Sequence, residues 1–173
     1  FKTQKPTHYI ILSGDQLYKM DLRAFMDAHI KSGADVTIAT TAVNRHDASG
    51  FGIMKIEQDN RGKEFIEKPK PDQNIDAWKI PAEARGALPP EKEYLASMGI
   101  YIFNWKTLKE ALLANAEQPG LDFGKHIIPY CHGKGAPLYA FEFNGYWKDV
   151  GTLNSYWQAN MELIDIVPEF NLY

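Results

Sequence analysis

The chain has 173 residues, 45% of them hydrophobic and 24% charged, the proportions of one ordinary globular core rather than of a disordered or fibrous chain. A net charge of −3 gives no electrostatic footprint for nucleic acid or an anionic membrane, and no apolar run approaches the roughly 20 residues that span a bilayer. The single cysteine, Cys131, excludes an internal disulfide and fits a reducing compartment.

The chain starts at Phe1 without a signal-peptide pattern and reaches a buried-type strand within ten residues, so it reads as a piece of a longer protein. Strand 8–13 comes first. Tyr9-Ile10-Ile11-Leu12 is continuously apolar, as in a parallel strand covered on both faces, and it runs into Ser13-Gly14-Asp15. Ligands of open α/β sheets sit beyond the carboxyl ends of such strands, where Asp15 could hold Mg²⁺. Taken alone, Gly14-Asp15 is better read as a turn. A helix follows near 21–32, with Leu22, Phe25, Met26, His29 and Ile30 on one face and Gly33 as its stop. Strand 35–43 is rich in β-branched residues, and 52–57 and 63–67 alternate around Asp59-Asn60-Arg61-Gly62 as a hairpin. Residues 70–92 form an irregular excursion with a short helix around 75–86. Strand 94–103, helices 105–115 and 122–131, and strands 137–143 and 146–149 come next. The last helix, 152–164, is capped by Thr152 and stops before Pro168. The alternation predicts one α/β domain, a three-layer and mostly parallel mixed sheet with antiparallel additions.

Several strand ends carry chemistry. Glu67-Lys68-Pro69 places an acid and a base beside a chain-breaker that keeps Lys68 out of helical geometry. Lysine is a compact charge suited to phosphate, and a glutamate can accept hydrogen bonds from sugar hydroxyls. A solvated strand end explains the pair equally well. In Trp147-Lys148-Asp149-Val150-Gly151-Thr152, Asp149 precedes a helix; it is either a favourable anion at a helix start or a second carboxylate for one metal. Ser97 lies among Ala96, Met98 and Gly99, small residues that admit a ligand or simply pack the sheet tightly. Gly50-Phe51-Gly52 lacks the following helix of a dinucleotide loop and reads as a strand entrance where Gly52 offers an amide. Cys131-His132-Gly133 reads as a helix end with a glycine stop. The five histidines have no zinc spacing, and no nucleophilic triad can be assembled.

Taken in order, LSGDQLYKMD (12–21), SGADVTIA (32–39), FGIMKI (51–56), FIEKPK (65–70), LASMGIYIF (95–103), LDFGKHIIP (121–129) and YWKDVGT (146–152) resemble the sugar-nucleotide pyrophosphorylases, specifically the glucose-1-phosphate adenylyltransferase (ADP-glucose pyrophosphorylase) family. The resemblance implies a Rossmann-like nucleotidyltransferase fold and a Mg²⁺-dependent reaction of ATP with α-D-glucose 1-phosphate, giving ADP-glucose and pyrophosphate for glycogen- or starch-type synthesis. By position, Asp15 and Asp149 match the metal acids, and Lys68 matches the lysine on the sugar phosphate. Glu67, Ser97 and the Gly52 backbone match sugar-phosphate contacts, with Asp122 a weaker match to the same pocket. The family's N-terminal triphosphate-binding loop and its C-terminal β-helix have no counterpart. Residues 1–173 are therefore expected to be the C-terminal portion of a catalytic domain, ending at the linker that starts near Val167 and inactive alone. The full-length protein is expected to be a cytoplasmic homo- or hetero-tetramer (plastidic in a plant), binding neither nucleic acid nor membrane. A relative using UTP, dTTP or GTP, or a non-catalytic regulatory subunit of the same fold, are the alternatives.

Overall fold

The expected strand–helix alternation is present in the computed structural model, which describes residues 5–170. The strands are β1 (His8–Ile11), β2 (Gln16–Tyr18), β3 (Val36–Val43), β4 (Gly52–Ile56), β5 (Arg61–Glu67), β6 (Tyr94–Asn104), β7 (Leu138–Glu142) and β8 (Trp147–Asp149). The α-helices are α1 (Leu22–Ser32), α2 (Trp105–Ala114), α3 (Ile128–Gly133) and α4 (Leu153–Leu163). Local chemistry sets their ends. The Asp21 carboxylate accepts from the Arg23 and Ala24 amides to start α1, and Gly33 closes it. Thr152 and Ser155 form a reciprocal capping box at α4.

The main sheet has the order β1-β6-β3-β7-β5-β4, and β4 also pairs back onto β6. Here the expectation of a mostly parallel sheet is corrected. Only β3–β7 is parallel; the other five ladders are antiparallel. Strands β1, β3, β4 and β7 do run one way, as strand–helix alternation predicts. The oppositely directed β6 and β5 insert between them, and such long-range insertion leaves no mark in local sequence.

Three further expectations change. Strand β1 is a half-buried sheet edge that stops at Ile11; the strands buried on both faces are β3 and β6. The chain then enters a second ribbon, β2 against β8, so Asp15 rides on that ribbon rather than on the end of β1. Around 75–86 there is no α-helix but two 3₁₀ turns, Asp76–Trp78 and Ala82–Ala84, separated by Pro81, whose ring and missing N–H block continuation. Gly133 is the last residue of α3, and the left-handed glycine after it is Gly135. The expected linker start near 167–173 falls partly outside the described residues.

Helices cover both faces of the sheet. On one side Leu108, Ala111, Ile128 and Cys131 pack on Val36, Ile38, Phe103 and Leu138; on the other Phe25 of α1 packs with Ala39, Met98, Ile100 and Ile102. Burial pushes the Cys131 thiol up to about 11, in keeping with a structural rather than reactive cysteine.

His29 joins α1 to the sheet through buried polar groups. Its Nδ1 lies 2.7 Å from Thr37 Oγ1, and its Nε2 lies 3.1 Å from Asn104 Oδ1. Because Asn104 donates its amide to Asp35 at 2.7 Å, its oxygen accepts from His29 Nε2–H, which leaves Nδ1 to accept from Thr37. The ring is neutral, and burial holds its pKa below the ordinary histidine value. A depressed histidine contributes stability above its unfolded pKa of about 6.5 that is lost as pH falls through the folded value. Denaturant unfolding at pH 7.5 and 5.5 should therefore show a smaller acid loss in His29→Gln than in the unaltered chain. Equal losses would remove His29 as the cause.

Candidate active site

One edge of β6 is shared by two strands. β1 pairs with Tyr101 to Asn104, and β4 pairs with Leu95 and Ala96. Between them Ser97–Ile100 have no ladder partner on that edge among the described residues, while β3 lines the opposite edge with an irregularity between Ile38 and Thr40. Strand β1 ends at this gap, β4 begins at it, and β5 ends beside the start of β4 because Gly52 pairs with Glu67. Separate strand ends thus meet at one split in the sheet, the kind of crevice in which α/β proteins bind ligands.

The two metal-type acids meet on the β2–β8 ribbon. Gln16 pairs with Asp149 in register, and the Val150 amide donates to the Asp15 carbonyl at 3.0 Å. Each acid has one oxygen engaged locally. Ser13 Oγ donates to Asp15 Oδ1 at 2.7 Å, and the Gly151 amide donates to Asp149 Oδ1 at 2.8 Å. Asp15 Oδ2 and Asp149 Oδ1 both lie within 3.3 Å of where a Gly151 β-carbon would stand, so the carboxylates converge. Two hard oxygen donors suit Mg²⁺, provided that substrate phosphates complete the shell. The completion matters because no cluster of three or more His, Cys, Asp or Glu is placed for a metal among the described residues. A cavity of about 770 Å³ adjoins Asp149, with Gly50, Phe51, Lys92 and Trp147 in its wall, room enough for a small ligand.

Glu67 forms the second part of the site. Its carboxylate lies between Gly52 and Gly124, where a β-carbon on Gly52 would stand 2.7 Å from Oε2 and one on Gly124 would overlap the same oxygen. Only glycine admits the acid at both places. A π-helical turn, Phe123–Ile127, brings Gly124 there, and Asp122 caps that turn by accepting from the Lys125 amide at 2.8 Å. Such wide turns recur at functional sites. Burial raises the Glu67 pKa, and the negative charge of Asp122 raises it further against the pull of Lys68 and Lys125.

The expected residues fall into two groups joined along β6. Asp15 and Asp149 make one; Gly52, Glu67 and Asp122 make the other. Ser97 lies between them but is only 7% exposed, with its hydroxyl committed to the Gly99 amide and the Tyr101 hydroxyl. Lys68 is exposed at the rim, and its side chain makes no ion pair or hydrogen bond among the described residues. Its backbone avoids the right-handed helical form, as expected before Pro69, by taking the left-handed region, with φ +48°. Tyr101, Phe123, Trp147 and Gln16 also line this region without a sequence signal of their own. Tyr101 stacks on Phe123 at 5.6 Å, and burial pushes its phenol up to about 12. Trp147 meets Phe51 edge-on at 5.2 Å and donates its indole N–H to Gln16. An aromatic inside an apolar strand looks like core, so nothing in the local pattern singled these out.

Residues 1–166 match the model of the nucleotidyl transferase family. The chain belongs to that family. Among curated nucleotidyltransferases, it is 49% identical over 97% of its length to a protein named glucose-1-phosphate adenylyltransferase from Lachnospira eligens. It is 46% and 43% identical, again over 97%, to proteins of the same name from Clostridium acetobutylicum and Agrobacterium fabrum. The chain spans 35–40% of the length of these relatives. No helix of this nucleotidyltransferase chain is long and apolar enough to cross a membrane among the described residues.

A carboxyl whose folded pKa is raised contributes stability below its unfolded pKa that is lost as pH rises through the folded value. Ionised Glu67 therefore costs the fold stability at neutral pH. Glu67→Gln should raise the thermal midpoint at pH 7 by roughly a few degrees, with the gain vanishing near pH 4. A lowered midpoint at pH 7 would contradict this account of Glu67.

Proposed function

We propose that this chain holds the sugar-phosphate and metal part of a site that transfers the adenylyl group of ATP to α-D-glucose 1-phosphate, for glycogen- or starch-type glucan synthesis. The observation that carries the reading is the convergence of Asp15 and Asp149 across a ribbon beside the Glu67–Lys68 strand end. The names of the relatives supply the substrate pair. Those relatives are bacterial, which leaves a plastid location without support; by resemblance the full-length protein is a tetramer.

In this reaction an oxygen of the sugar phosphate forms a bond to the α-phosphorus of ATP while the bond to pyrophosphate breaks. The nucleophile is already an anion, so no general base is needed, and the protein orients and neutralises. Lys68 supplies a positive charge to the sugar phosphate from the rim, where it makes no salt bridge among the described residues. Glu67, set between Gly52 and Gly124, accepts hydrogen bonds from sugar hydroxyls, with Asp122 behind it and Ser97 holding the floor of the pocket through Gly99 and Tyr101. Asp15 and Asp149 would hold the divalent ion, Mg²⁺ by the hardness of its donors, which when bound neutralises charge on the phosphoryl oxygens.

Three measurements on the full-length protein test the reading. Asp15→Asn, which keeps the shape and the backbone bond to Val150, should lower kcat by about 10²-fold or more; near-normal turnover would end the metal role. Lys68→Ala should raise KM for glucose 1-phosphate well above any change in KM for ATP; an unchanged KM would count against phosphate binding there. Titration with ATP, UTP, dTTP and GTP should show preference for adenine, and any other preference would replace the substrate assignment.

A further inference from the structure

We infer that Gln16 is a positioning residue that fixes the spacing of the acid pair by latching Trp147 across the β2–β8 ribbon; this rests on Asp15 and Asp149 being the metal acids. Three facts carry it. Gln16 is the register partner of Asp149 and the immediate neighbour of Asp15, so any twist of the ribbon about Gln16 moves the two carboxylates relative to each other. Its Oε1 accepts the Trp147 indole N–H at 3.1 Å, across 131 residues of sequence; the indole can only donate, which fixes the orientation of the amide. Its Nε2 faces the β6 split, where Gly99 has φ +69° and a β-carbon would stand 3.4 Å from that nitrogen and 3.5 Å from Ser13 Cβ.

The ribbon needs such a latch. Two strands of three residues each are not stable by themselves, and their geometry comes from what they pack on. Trp147 packs on Phe51 at the mouth of β4, so one side-chain amide ties the ribbon to the split in β6 and, through the indole, to the strand that carries Gly52. Gln16 is uncharged and hydrogen-bonds neither carboxylate among the described residues. Its contribution is to hold Asp15 and Asp149 at one separation; groups that hydrogen-bond metal ligands directly change affinity by about 10- to 100-fold, and one acting a step further out falls at the low end of that range.

The test uses the full-length protein with Gln16→Leu, which keeps bulk and loses the acceptor, and Gln16→Glu, which keeps an acceptor at the same reach. The probe is Mn²⁺, its free concentration followed by electron paramagnetic resonance with glucose 1-phosphate present. A second probe is 5-fluorotryptophan, with the Trp147 ¹⁹F resonance assigned by Trp147→Phe. Gln16→Leu should weaken Mn²⁺ binding by about tenfold, raise the Mg²⁺ half-saturation of turnover in proportion, leave kcat at saturating Mg²⁺ within about threefold, and shift the Trp147 resonance. Gln16→Glu should leave that resonance in place. If Gln16→Leu fails to fold, Gln16→Asn, too short to reach the indole, provides the same comparison. Unchanged Mn²⁺ binding in folded Gln16→Leu or Gln16→Asn, with binding lost in Asp15→Asn, would overturn the latch and leave the metal site standing. Unchanged binding in both would overturn the metal site and the latch with it.

Discussion

The site depends on how β6 shares its edge. A strand of eleven residues, nearly all buried, is longer than either partner on that side, so β1 covers its end and β4 its beginning. The uncovered stretch leaves backbone groups that a continuous ladder would have consumed, and Ser97 answers part of that need by accepting from the Gly99 amide. Everything with chemical potential then follows from connectivity. The chain leaving β1 supplies Asp15, the chain entering β4 supplies Gly50 to Gly52, and β5, paired with β4, ends in Glu67 and Lys68. The crevice is a consequence of strand lengths rather than of a dedicated loop.

The two halves of the site are built by different physics. The Asp15–Asp149 pair sits on a thin exposed ribbon held by side-chain ties: Trp147 to Gln16, and Lys148 and Tyr146 to the two carboxylate oxygens of Glu162 on α4, at 2.6 and 2.7 Å. Those last two bonds hold the Glu162 pKa below the usual carboxylate range, while burial raises that of Tyr146. Glu67 instead ends a strand of the main sheet, half-buried in a slot between two glycines, with a like charge behind it. A fold selected for stability alone would not place an acid there. Destabilised charge in a crevice marks a site of function more than one of architecture.

Local features were legible in the sequence to the extent that they have local causes. Gly33 as the stop of α1 and Thr152 as the cap of α4 came out as read, and the hairpin formed, although Arg61 and Gly62 belong to β5 rather than to its turn. The co-directional strands β1, β3 and β7 were legible for the same reason. The insertion of β6 between β1 and β3 was not, because pairing partners 51 to 96 residues apart leave no periodic trace. Nor was the β2–β8 pairing: the strand at 146–149 is legible, but its partner Gln16–Tyr18 is too short to show alternation. That miss changed the account of Asp15: its partnership with Asp149 comes from the ribbon, not from two parallel strand ends. The seven ordered motifs pointed to the site residues, whereas the aromatic wall of Tyr101, Phe123 and Trp147 looked like ordinary core.

Lys68 shows how the strand end and the chemistry constrain each other. A non-glycine residue in the left-handed region costs of the order of 1–3 kcal/mol, and the proline that follows removes the right-handed alternative. The strain is held by neighbours: the Lys68 amide donates to the Phe51 carbonyl at 3.1 Å, one step beyond the Gly52–Glu67 pair, and Pro69 is buried. Ladder and proline anchor the backbone on either side, so the kink falls on Lys68 itself and turns the chain off the sheet there. A glycine would relieve the strain at once and would carry no charge. That a lysine occupies the position, at the rim and without a salt bridge among the described residues, is the arrangement expected where charge is needed at a fixed place before the ligand arrives.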